Sequence, residues 1–64
     1  MKITLERSPE GGFDVWQRPR GQRPSVIAHH DLLWAARNDA RREASDRGWQ
    51  LVSRVDDLQP SAAL

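Results

Sequence analysis

Apolar and polar residues alternate twice in the first third of the chain. Ile3 and Leu5 are interleaved with Lys2, Thr4 and Glu6, and Phe13 and Val15 with Asp14, Trp16 and Arg18. A period of two is that of a strand with one buried face. Between the two runs lies Ser8-Pro9-Glu10-Gly11-Gly12, whose glycines accept the positive φ of a tight reversal. The runs therefore predict a β-hairpin. Ile3, Leu5, Phe13 and Val15 form its buried face, and Lys2, Thr4, Glu6, Asp14, Trp16 and Arg18 share the other.

The pattern then breaks. Pro19-Arg20-Gly21-Gln22-Arg23-Pro24 is a loop, because two prolines and a glycine fit neither a helix nor a central strand. Ser25-Val26-Ile27-Ala28 is either a short third strand or an extended approach to the next element. From Asp31 to Arg47 the period changes to that of a helix, with Leu32, Leu33, Ala36, Ala40 and Ala44 in one stripe. Asp31, or His30 before it, is the expected N-cap, since aspartate accepts a first-turn N–H. Gly48 is the expected terminator, because glycine tolerates the left-handed position after a helix. Trp49 to Val55 reads as a last strand with Trp49, Leu51 and Val55 on one side.

These elements predict an α+β domain: a small antiparallel sheet, order β-β-(β)-α-β, with one helix packed on one face. It spans residues 1–58 and leaves 59–64 as a flexible tail. The other sheet face has nothing left in the chain to cover it. At 64 residues the core is small, and the absence of cysteine rules out disulfides and thiolate metal sites as staples. Pairing as a homodimer is one way to enlarge such a core, so monomer and homodimer are both open. No apolar run approaches the ~18 residues of a membrane span. The alternating start also lacks the apolar core of a signal peptide, so a soluble, cytoplasmic protein without membrane contact is expected.

Net charge is only +1, below the basic excess of most strong nucleic-acid binders. Its distribution is uneven. Arg18, Arg20 and Arg23 occupy one acid-free stretch, while Asp39, Glu43, Asp46, Asp56 and Asp57 gather later. A basic loop suits phosphates or an acidic protein surface, and equally an ordinary solvated loop. Trp16 falls on the uncovered face beside Arg18, as a rigid anchor or a stacking platform; a slip of one residue would instead put it in the core. Trp34 lies away from the alanine stripe, beside Arg37 and Arg41. It is either an interface residue or a cover over the 19–24 loop or the tail.

Catalytic residue types are sparse. His29 and His30 are adjacent, and in an extended segment they point to opposite sides rather than toward one metal. No cysteine or further histidine completes a site, so no metal and no cofactor is expected. The serines lack a nucleophile elbow, and Gly11-Gly12 sits between strands rather than before a helix.

The run Gly11-Gly12-Phe13-Asp14-Val15, a polar loop, an Ala/Arg-rich helix ending at Gly48 and then Leu51-Val52 together resemble small bacterial and phage ββαβ domains of unknown function. The layout covers residues 3–57. It is also similar to HicB-type antitoxin domains, partial RNase-H-like folds that bind a toxin. Their proline-containing segment is replaced here by Pro19-Arg20-Gly21-Gln22-Arg23-Pro24. By size class the chain also resembles small inhibitors of mobile-element type, anti-CRISPR proteins among them. Taken together, a non-enzymatic inhibitor or adaptor is expected, docking on a larger protein or nucleoprotein complex through Trp16, Arg18, Arg20, Arg23, Trp34, Arg37 and Arg41. The alternative is direct nucleic-acid binding through Trp16, Arg18, Arg20 and Arg23.

Overall fold

A computed structural model describes residues 1–55; the expected tail at 59–64 lies outside the described residues. The chain forms strands β1 (Lys2–Arg7), β2 (Phe13–Arg18) and β3 (Ser25–His30), helix α1 (Leu33–Arg47) and strand β4 (Gln50–Ser53). One sheet holds all four strands in the order β3-β2-β1-β4. The helix lies against every strand of it, so the fold is α+β, with a helix layer on a sheet layer.

The sheet is mixed where an antiparallel one is expected. β1–β2 and β2–β3 are antiparallel, but β4 runs parallel to β1. Direction parity explains this. Residues 25–30 form a full strand rather than a short run or an approach to the helix, so β3 points the same way as β1. The helix then carries the chain back along the sheet, and β4 must start again at the end where β1 starts. Its partner is the free edge of β1, with Lys2 opposite Gln50 and Leu5 opposite Ser53.

Burial on the helix side follows the alternation. Ile3, Leu5 and Val15 meet Ala36, Ala40 and Ala44, and Val55 closes the cluster. Alanines at i, i+4 and i+8 lie on one helix face, and their short side chains let the helix backbone come close to the sheet. Phe13, Ile27, Ala28, Leu33, Trp49 and Leu51 pack around this centre, half-buried.

The helix termini behave unequally. Gly48 adopts φ 72°, its N–H donates to the Ser45 carbonyl (3.2 Å), and the Trp49 N–H donates to the Ala44 carbonyl (2.9 Å). That pair of bonds is a Schellman stop. At the other end the cap position is Leu32, with no side-chain cap, and Asp31 stands in solvent. The expected aspartate cap is thus displaced: β3 runs on through His30, and the helix starts two residues after Asp31. Leu32 leaves the apolar stripe for the same reason and is 55% exposed. Among the described residues no helix is long and apolar enough to cross a membrane.

Candidate functional site

The sheet face away from the helix presents its side chains in rows set by the register. At the end where β1 and β4 begin stand Arg18, Lys2 and Gln50; next come Val26, Trp16, Thr4 and Val52; then His29, Asp14 and Glu6. A register shift between Val15 and Trp16 opposite β3 brings Val26, rather than Ile27, beside Trp16.

This face is not bare, as the alternation alone implies. Thr4 is fully buried on it. Its hydroxyl donates to Glu6 Oε2 (2.9 Å) and accepts from Arg18 Nε (3.1 Å), while Arg18 Nη2 donates to the same Glu6 oxygen at 2.7 Å. Arg54 Nη1 adds a longer bond to that oxygen at 3.4 Å. Partial burial pushes the Glu6 carboxyl up, but the hydrogen bonds from Arg18 and Thr4 and the charges of Arg18 and Arg54 outweigh it. The net shift is downward, toward the ionised form. The Arg18 guanidinium also lies over the Trp16 ring, 5.2 Å from its centroid. The chain therefore covers the middle of this face with its own side chains: Arg18 is engaged with Thr4, Glu6 and Trp16, and one face of the indole is occupied, while Val26, His29 and Gln50 stay exposed around them.

The two histidines diverge as an extended strand requires, and each finds a carboxylate. On the open face the His29 Nδ1–H donates to Asp14 Oδ1 at 2.7 Å, and Nε2 lies 3.7 Å from Asp31 Oδ1. The Asp14 hydrogen bond, against a smaller desolvation effect and with the Asp14 and Asp31 charges, raises the His29 pKa. On the helix side the His30 Nε2–H donates to Asp39 Oδ2 at 2.7 Å, and Arg42 donates to the other oxygen at 2.8 Å. Sequence reasoning missed both partners. Asp14 pairs with His29 because β3 reaches residue 30. Asp39, three residues after Ala36, was visible as a carboxylate beside the alanine stripe. Among the described residues no cluster of three metal-ligating side chains forms.

The seven anchor residues read from the sequence do not form one patch. Trp16 and Arg18 are on the open sheet face, half-buried, and Arg20 and Arg23 stand exposed on the loop at its end. Trp34, Arg37 and Arg41 belong to the helix layer, on the other side of the sheet. At about 100° per residue they share one helix flank, turned from Asp39, which faces β3 through His30. Trp34 is 65% exposed, so it covers neither the loop nor the core; the tail, its other expected contact, lies outside the described residues. Arg37 is half-buried and engaged, and Arg41 is exposed. Among the described residues neither layer encloses a pocket; both offer contact area.

Comparison with protein-family models, with curated proteins and with solved structures gives no match.

Proposed function

We propose that the protein is a non-enzymatic binding module of the cytoplasm, an inhibitor or adaptor that docks on a larger protein or nucleoprotein complex and blocks it sterically. The type is that of antitoxin-like or anti-CRISPR-like proteins of phage and mobile elements. The observation that carries this reading is Trp34. It is the most exposed of the large apolar side chains among the described residues, on a helix flank it shares with Arg41 and two residues after the cap residue Leu32, which is also exposed. Tryptophan and arginine are the residue types that most often dominate binding interfaces. Burying an indole that the fold leaves in water returns about 1.5–3 kcal/mol. The matching partner surface is an apolar pocket with an acidic rim.

The test is Trp34→Ala. The variant keeps the wild-type circular dichroism and melting temperature, because Trp34 contributes nothing to the core. A partner captured by the wild-type chain from its host and then purified binds the variant at least ~10-fold more weakly, a loss of ~1.4 kcal/mol or more. Undiminished binding, or a variant that unfolds, removes Trp34 as the anchor.

A further inference from the structure

We infer that the end of the sheet carrying Lys2 and the 19–24 loop grips the phosphate backbone of a nucleic acid, independently of base sequence. The topology places three cations at that end. The register sets Lys2 beside Arg18 on the open face, and β2 then leads directly into the loop that exposes Arg20 and Arg23. Arg18 itself is withdrawn, since its guanidinium reaches back to Glu6 and Thr4. Lys2, Arg20 and Arg23 make no ion pair with an acid of the described chain within 4.0 Å.

Of the acids of the same face, Glu6 turns its carboxylate back along β1 to Thr4 and Arg18, where Arg18 pairs with it, and Asp14 stands four residues along β2 from Arg18. At about 3.3 Å per residue that is roughly 13 Å, beyond the screening length of ~8 Å at physiological salt. On the helix layer Glu43 is held by Arg47, and Asp46 is exposed in the last turn, at the same end as Lys2 but on the other layer. The loop end therefore projects net positive charge although the chain as a whole is nearly neutral.

Phosphate fits this end better than a protein surface does. A protein interface needs a buried aromatic or aliphatic anchor; residues 19–24 supply none, and the exposed apolar side chains at this end are Met1, beside Lys2, and Val26, just after the loop. Phosphates need only positive charge, and the guanidinium fork matches their oxygens. One ring face of Trp16 is taken by Arg18, so the contact does not rest on base stacking. This surface lies on the opposite layer from Trp34. A nucleoprotein can thus be held on its nucleic acid by one side of the domain and on its protein by the other, and each contact can fail without the other.

The experiment is fluorescence anisotropy of a labelled duplex of about 20 base pairs, from 50 to 200 mM salt, with the full chain and with the triple variant K2A/R20A/R23A. Three phosphate contacts give a slope of log affinity on log salt of about −2.7, which is roughly a 40-fold loss over that range. In the triple variant, which keeps its fold because the three side chains lie outside the core, duplex binding is lost. Trp34→Ala binds the duplex as the wild type does, which separates this result from the protein-docking test. No binding at 50 mM salt, a flat salt profile, or a triple variant that binds normally would each overturn the inference. So would competition by polyglutamate, at equal charge, as strong as that by unlabelled duplex, since the site would then serve an acidic protein.

Discussion

Leu5 and Thr4 are neighbours in β1, both fully buried and on opposite faces of the sheet. Leu5 is covered by another element, the alanine face of α1. Thr4 is covered by side chains of its own sheet, Glu6 and Arg18, through hydrogen bonds it both gives and accepts. The same strand thus ends up dry on both sides by two mechanisms. Apolar burial is non-directional and scales with area. The polar lid depends on every member being present, because a buried hydroxyl left without a partner carries its desolvation cost.

Leu5→Ala tests the first mechanism and has the largest expected effect. Truncating a buried leucine costs about 2–5 kcal/mol, a large fraction of the stability of a domain this small. Urea unfolding measures it, and a loss below ~1 kcal/mol would mean that the helix does not seal this face. Thr4→Val tests the second. The shape is kept, but Glu6 loses a donor and Arg18 Nε an acceptor, for an expected cost near 1 kcal/mol.

Acid sharpens the same contrast. The Glu6 carboxyl is held below its ordinary 4.5, so its contribution is fully present above that value and is lost as pH falls through the lower folded-state pKa. Wild-type stability therefore falls over that interval. Glu6→Gln loses this part of the acid dependence, whereas Leu5→Ala keeps it.

The smallest expected effect is on His29, half-exposed at the edge of the open face. Its pKa is raised above 6.5 by Asp14. The pairing contributes fully below 6.5 and fades as pH rises through the folded-state value. Nuclear magnetic resonance titration of the ring reads this directly. Asp14→Asn returns the midpoint toward 6.5, and an unchanged midpoint would show that the Asp14 contact is not what raises it.

The two surfaces proposed for partners differ in legibility as well. Trp34 could be placed from the chain alone, since a helix period of 3.6 puts it off the Ala36-Ala40-Ala44 stripe whatever the sheet does. The basic end could not be assembled that way. Arg20 and Arg23 are close in the chain, but Lys2 joins them only through the β1–β2 register, and Arg18 leaves them only through its reach to Glu6. The histidine pairs show the same limit: Asp14 and His29 are fifteen residues apart, and the register that joins them depends on a β3 longer than its apolar part.

Local chemistry was therefore enough for the hairpin at Gly11-Gly12, the alanine stripe, the Gly48 stop and the opposition of His29 to His30. Each rests on backbone preference or side-chain period within a few residues. The parallel pairing of β4, the burial of Thr4, the partners of both histidines and the separation of Trp16 from Trp34 onto opposite layers rest on contacts between distant segments. Those contacts follow from strand direction and register, which depend on how all four strands and the helix share one small core.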